Sequence, residues 1–236
     1  FKNFDRYYKP LMLIRKIEAI SGSPKILIKC QPSAEHGARL LKSSMGSNHI
    51  RFMDTDQELR LSTNAPLSYI MDGKAFALNK PVYLVLTYGR PLEAPIETTA
   101  ERFLHATTAY WQEWVKSTSI SNFHQKLVLR SALILKIHQY EDTGAIIAAS
   151  TTSLPESPGS TRNWDYRYCW IRDSYYTLTC FNSLGHFEEL EKYFEFIHNL
   201  RPGLDGRYQP LYSITGDSLL TEEISDLDGY LGEKQR

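Results

Sequence analysis

The hydrophobic pattern changes its period once, near Gly89-Arg90-Pro91-Leu92-Glu93-Ala94-Pro95, and that change divides what the chain can fold into. Before it, apolar residues come in short runs: Leu11 to Ile17, Lys25 to Cys30, His49 to Met53, Leu67 to Met71, Ala75 to Leu78 and Val82 to Tyr88. Several of these runs alternate or are rich in β-branched residues, and a period of two sends successive side chains to opposite faces of a strand. Turn-forming residues separate them at Ser21-Gly22-Ser23-Pro24, Gly46-Ser47-Asn48, Asp72-Gly73 and Asn79-Lys80-Pro81. Asp72-Gly73 between two apolar runs predicts a hairpin, because Gly accepts the positive φ of a tight turn. Regularly spaced short strands of this kind predict an antiparallel sandwich or sheet.

After the change the period is near 3.6. Thr98-Thr99-Ala100-Glu101 has the form of a capping box, with Thr98 as N-cap and Glu101 at N3, which predicts a helix over about 99–115. Phe103, Leu104, Thr107, Tyr110, Trp111 and Trp114 recur at helical spacing, so both tryptophans are expected to pack into a core. A second helix is predicted over about 122–140 from Phe123, Leu127, Val128, Ser131, Leu135 and Ile137. Two more follow, over about 171–184 closed by Gly185 and over about 187–200 closed by Arg201-Pro202-Gly203. Thr221-Glu222-Glu223-Ile224 reads as a further helix start, with acids in its first turn. The irregular stretch 141–168 is long for a connection in a compact domain, and its apolar and aromatic content argues for function over disorder.

Composition excludes several function classes. Lysine and arginine total 27 against 27 aspartates and glutamates, with no basic run, so neither a nucleic acid nor an anionic membrane surface is an expected partner. The apolar stretches are too short and too often interrupted by charge to span a bilayer. Three cysteines, Cys30, Cys169 and Cys180, lack metal-ligand spacing and do not make a disulfide framework, which favours a reducing, cytoplasmic setting. The chain opens on Phe1-Lys2-Asn3-Phe4 and stops in turn-like sequence at Gly229 to Arg236, the expected signature of a piece of a longer protein.

One stretch carries chemistry. Arg162-Asn163-Trp164-Asp165-Tyr166-Arg167-Tyr168-Cys169-Trp170-Ile171-Arg172-Asp173 interleaves large rings with arginines and aspartates. Flat rings cover the apolar face of a pyranose, while Arg and Asp reach its hydroxyls through charge-assisted hydrogen bonds. Gly-x-Ser-x-Gly, His-Glu-x-x-His and phosphate-loop patterns are absent, which leaves carboxylates among aromatics, the equipment of glycoside hydrolysis. The residues alone leave other readings open. Asp173 would also serve as a helix cap, Trp164 as a buried ring holding its loop, and Glu156 and Arg162 as loop-locking residues.

Gly144-Ala145-Ile146-Ile147-Ala148-Ala149-Ser150-Thr151-Thr152-Ser153-Leu154-Pro155-Glu156, followed by the stretch 162–173, resembles glycoside hydrolase family 15, which includes glucoamylases, glucodextranases and trehalases. The resemblance continues through Ser131-Ala132-Leu133 upstream and Gln209-Pro210-Leu211-Tyr212-Ser213-Ile214 downstream. It implies a multidomain β + α fold. Residues 1–95 would form an antiparallel β-sandwich domain lacking its first strands, 96–120 a linker helix, and 121–236 the first helices of an (α/α)6 barrel, incomplete in this chain. It also implies inverting hydrolysis of terminal α-glucosidic bonds by general acid and base chemistry with water, without a cofactor. The substrate would be an α-glucoside disaccharide or oligosaccharide. By position, Arg172 and Asp173 fall on the pair that holds the hydroxyls of the terminal glucose, Tyr166 on the platform beneath that sugar, and Trp170 on the tryptophan lining the pocket, with Trp164 as a further contact. The family's catalytic glutamates lie downstream of any matching position, so no catalytic residue is assigned here, and Glu222 and Glu223 are not taken for them. A phosphate-dependent disaccharide phosphorylase on the same barrel and a non-catalytic sugar-binding protein are the alternatives. Uncovered helix faces of a partial barrel would also favour self-association into a homo-oligomer.

Overall fold

A computed structural model describes residues 1–4, 6–158, 160, 162–202, 205–224 and 230. The chain forms two compact units, Phe1–Gln112 and Glu113–Arg236.

The first unit is built on a five-stranded antiparallel sheet in the order Met12–Ile17, Val82–Tyr88, Leu59–Thr63, His49–Phe52, Ser43–Met45. Val82–Tyr88 lies second in this sheet, and its exposure alternates from Tyr83 onward although its sequence is apolar almost throughout. On one face Ile50 pairs with Leu61 and Leu61 with Leu86. That row sits in a core that includes Ile28, Phe52, Ala65, Ile70, Leu78 and Val82. The N-terminal part of α2 (Ile96–Lys116) is tied to the same sheet by polar bonds. Asn64 Nδ2 donates to Glu97 Oε1 at 2.9 Å, and Tyr83 Oη donates to Glu101 Oε1 at 2.6 Å. Lys16 Nζ reaches the same Glu101 oxygen at 2.7 Å.

Three local expectations give way here. The Leu67–Met71 run is not a strand but a single helical turn, α1, opened by Pro66. Gly73, at φ 63°, ends that turn in a left-handed cap: its N–H donates to Ile70 O, and Lys74 N–H to Tyr69 O. Asp72-Gly73 therefore closes a helix instead of turning a hairpin, and Phe76–Ala77 pairs with the distant Lys25–Ile26. Helix α2 begins at Ile96, ahead of Thr98, so Thr98 is no N-cap. Glu101 spends its carboxylate on Tyr83 and Lys16, partners on the sheet that outcompete the reciprocal capping bond. Leu59–Thr63, the central strand, was not among the predicted strands, although Leu59-Arg60-Leu61-Ser62 alternates.

The second unit holds the last turn of α2 with α3 (Gln125–Ile137), α4 (Ile171–Leu184) and α5 (Phe187–Asn199). Gly185 closes α4 in the left-handed conformation at φ 79°, as its position in the sequence predicts. The core gathers Ala145, Ile146, Cys169, Phe181, Tyr193, Phe196, Leu200 and Tyr212, with Trp114, Leu135 and Leu178 packed against it. No helix forms at Thr221–Ile224, which has no regular structure. The Gly203 stop signal and the turn-like Gly229 and 231–236 lie outside the described residues. Among the described residues no helix is long and apolar enough to cross a membrane.

A buried polar knot joins the helices of this unit. Lys136 on α3 pairs with Glu189 on α5 at 3.2 Å, both almost fully buried, and with Glu141 at 3.3 Å. Glu189 also accepts from Trp114 Nε1 at 2.8 Å, and Lys192 pairs with Glu141. His186 is buried, stacked on Trp114 with centroids 3.9 Å apart, its Nε2 2.9 Å from Thr118 Oγ1. Gly144, at φ 82°, lies so close to α5 that an added Cβ would meet Lys192 O at 2.1 Å. No other residue type fits there.

Glu189→Gln is expected to lower the unfolding free energy by about 3 kcal/mol, because it leaves Lys136 as an undercompensated buried charge. Chemical denaturation of wild type and variant measures this. Acidification should act in two stages. Burial holds the His186 imidazole below its ordinary 6.5, so the unfolded chain takes the proton first and stability begins to fall as pH drops through 6.5. Burial works to raise the Glu141 carboxyl, but Lys192 and Lys136 outweigh it and hold it below 4.5. Its contribution is complete above 4.5 and is lost as pH falls through the lower folded value, a second stage that Lys192→Met should flatten in melts recorded from pH 8 to 3. Thiol labelling gives a third check. Cys180 is exposed and should react fastest, whereas Cys169, fully buried with its thiol pushed up by burial, should stay unlabelled until the protein unfolds.

Candidate functional site

The stretch 141–168 is ordered by its own backbone. After α3 the chain doubles back, with Tyr140 N–H on Ala145 O at 2.7 Å and Ile147 N–H on His138 O at 3.0 Å. It then runs beside its own later part, through Ala148 N–H to Tyr168 O, Ala149 N–H to Tyr166 O and Tyr166 N–H to Thr151 O, each 3.0 Å. Glu156 N–H to Arg162 O, also 3.0 Å, narrows the loop between these two runs. Cys169–Trp170 continues the extended path by pairing with Leu211–Tyr212, and α4 starts at once behind it.

This path explains how the site residues come together. In an extended chain residues i, i+2 and i+4 share a face. Trp164, Tyr166, Tyr168 and Trp170 all line one open cavity of about 760 Å³. Cys169, from the opposite face, is fully buried in the core. Asn163, just before Trp164, is also fully buried. The first turn of α4 then brings Arg172 and Asp173 to the same cavity, together with Glu156, Asp165, Leu211 and the segment Leu219 to Glu223.

Asp173 is not the cap of α4. Trp170 holds the N-cap position without a side-chain cap bond, and Asp173 lies inside the first turn. Its Oδ2 accepts from Arg172 Nε at 3.2 Å and Nη2 at 3.1 Å. The Arg172 guanidinium stands 5.6 Å from the centroid of the Trp170 ring, within reach of a cation–π attraction. Ser174, fully buried, donates from Oγ to Trp170 O at 3.0 Å and holds the strand-to-helix corner closed.

Around this pair the loop is locked by charge. Asp165 accepts from Arg167 N–H at 2.9 Å and from its Nη2 at 2.8 Å. Burial works to raise the Asp165 carboxyl, but these bonds outweigh it and hold it low, so it stays ionised. Burial, with Glu156 nearby, pushes the Tyr166 phenol up and keeps it a neutral hydroxyl. Arg162 is outside the cavity lining and reaches Glu156 at 3.5 Å, a loop-locking contact. Trp164 Nε1 donates to Glu222 Oε1 at 3.2 Å.

All five sequence-predicted site residues, Trp164, Tyr166, Trp170, Arg172 and Asp173, therefore line the same cavity. Sequence reasoning missed Tyr168, though the period-two spacing of the rings carried the signal, and it did not foresee Glu222 on the cavity wall. Aromatic faces beside paired Arg and Asp suit a neutral polyol, since polar groups of this kind penalise any ligand that leaves them unpaired.

Residues 122–235 match the family model of the glycosyl hydrolases family 15. The chain is 41% identical over 133 residues to a trehalase of Thermoplasma volcanium, covering 56% of this chain and 21% of that protein. It is 32% identical over 244 residues to a trehalase of Mycolicibacterium smegmatis, covering 93% of this chain and 35% of that protein. A trehalase of Mycobacterium tuberculosis is 31% identical over 240 residues, again covering 93% of this chain and 35% of its own length. The chain thus spans roughly a fifth to a third of these curated relatives. No solved structure matches it. Residues 122–235, in which the quoted motifs lie and converge on one cavity, are thus similar to the glycosyl hydrolases family 15.

Proposed function

We propose that the intact protein is an inverting glycosidase that cleaves a terminal α-glucosidic bond, and that this chain supplies part of the pocket for the terminal glucose. The observation that carries the reading is the convergence of Trp164, Tyr166, Trp170, Arg172 and Asp173 on one cavity. At about 760 Å³ the cavity falls within the usual range for a small-molecule site and has room for a disaccharide. Because the relatives quoted above are named trehalases, trehalose is the first substrate to test.

In this reading Tyr166 lies beneath the sugar as a platform, Trp170 lines and supports the pocket, and Arg172 and Asp173 hold the hydroxyls of the terminal ring. Trp164 adds a further sugar contact. Arg172 donates to hydroxyl oxygens and Asp173 accepts hydroxyl hydrogens, so each trades part of its bond to the other for one to the sugar. Water attacks the anomeric carbon under general base assistance, while a general acid protonates the leaving oxygen, and no cofactor takes part. Neither acid nor base is assigned among the residues described here. Residues 1–95 are read as the β-sandwich domain, 96–120 as a linker helix and 121–236 as the start of an (α/α)6 barrel. The free thiols support a cytoplasmic location.

The test is sugar release from trehalose, maltose and isomaltose by the intact protein, with the product anomer followed by NMR. Release of β-glucose that falls by a factor of roughly 10³ or more in Asp173→Ala is expected, since the acceptor for the sugar hydroxyls would be lost. Absence of hydrolysis of every α-glucoside, with sugar binding retained, would overturn the reading in favour of a binding protein. Release only in the presence of phosphate would overturn it in favour of a phosphorylase.

A further inference from the structure

Trp164 and Glu222 lie far apart in sequence, yet they meet on the wall of the cavity, where the indole Nε1 donates to Glu222 Oε1 at 3.2 Å. Their two segments have different origins. Trp164 belongs to the loop braced by the Asp165–Arg167 bonds. Glu222 lies in the segment Leu219 to Glu223, which lines the cavity without regular structure of its own. A compact turn fixes the chain just before that segment. Ser213 N–H donates to Asp217 O at 3.0 Å, and the Ser213 and Thr215 hydroxyls reach Asp217 Oδ2 at 2.9 and 2.7 Å. Residues 218–224 form no ladder or helix that would hold them against the site.

We infer that Trp164 and Glu222 form a positioning pair: the carboxylate fixes the indole as one wall of the cavity, and the indole in turn pins the 219–223 segment across it. This inference rests on the sugar-site reading above and assigns a role at that same site. The physical case is that a long polar chain segment loses conformational freedom on being held in place, and a bond to a charged acceptor opposes that loss more strongly than a neutral one. With its N–H engaged by Glu222, Trp164 offers a sugar its ring face, and the ring's orientation is set before the sugar arrives. Glu222 is thus assigned no part in bond cleavage. It acts through Trp164 and through the position of its own segment.

The test uses Trp164→Phe, Glu222→Ala, Glu222→Gln and the double variant Trp164→Phe/Glu222→Ala in the intact protein, with two readouts. The first is hydrogen–deuterium exchange over residues 219–223, which needs no activity. Exchange should rise in Trp164→Phe and Glu222→Ala and rise less in Glu222→Gln, whose neutral amide oxygen still accepts the indole N–H but holds it more weakly. The second is steady-state hydrolysis of trehalose. KM should rise on the order of tenfold in each of the first two variants, with kcat changed far less, and the double variant should be no worse than either single. If Trp164→Phe exchanges and binds like wild type, the pair is refuted. It is refuted equally if Glu222→Gln loses kcat as severely as Glu222→Ala, for then the charge itself acts in the reaction. A wild-type protein that hydrolyses no α-glucoside would sink the glycosidase reading alone, and the exchange data would still decide the pair.

Discussion

The second unit depends on two opposite charges placed where water cannot reach them. Lys136 and Glu189 would each be strongly destabilising alone in that interior, and together they are tolerable only because further groups complete their hydrogen bonding. Trp114 gives its indole N–H to Glu189, and Glu141 shares Lys136. Gln139 Nε2 donates to Glu189 O at 2.8 Å and to Gly144 O at 3.2 Å. The last turn of α2, α3, α5 and the start of the stretch after α3 therefore meet at one point, each supplying a partner that another requires. Apolar packing alone would tolerate a range of helix positions, whereas hydrogen bonds at these distances admit few.

The cavity inherits its geometry from that knot. Gly144 is pressed against the backbone of α5, which fixes where the chain turns after α3. Four residues on, the chain begins the run 148–151 that brackets Tyr166 and Tyr168. The aromatic face is thereby held at a set distance from the core, with Cys169 inward and the rings outward. Ser174 finishes the task at the corner, where an extended strand becomes the helix that carries Arg172 and Asp173. The site is a surface feature built on the most constrained part of the unit.

Much of the site was legible because it is local. Four rings at alternating positions, followed after one residue by Arg-Asp in the first turn of a helix, need only an extended segment and one helical turn to converge. Glu222 was illegible for the opposite reason: its place depends on a contact with Trp164 that no local pattern encodes, and its acidic neighbours imitate the first turn of a helix. In the first unit Val82 to Tyr88 announced itself as a continuous apolar run, while Leu59-Arg60-Leu61-Ser62-Thr63, alternating but short, went unread. That strand buries Ser62 and Thr63, so its apolar signal is broken although it sits between two partners. Leu67 to Met71 shows the reverse error, since a short apolar run has no period long enough to tell a strand from a helical turn.

The sheet of the first unit closes in an order that its synthesis cannot follow. Met12–Ile17 is an edge strand whose neighbour is Val82–Tyr88, the last strand of that sheet in the sequence. During translation the early strand leaves the ribosome and waits on the order of ten seconds for its partner at typical elongation rates. The pairs close in sequence, His49–Phe52 with Leu59–Thr63 and with Ser43–Met45, carry the smaller loop-closure cost and can form meanwhile. Arg15 and Lys16 lie within the waiting strand. Their charge discourages that open edge from pairing with another nascent chain before its own partner exists.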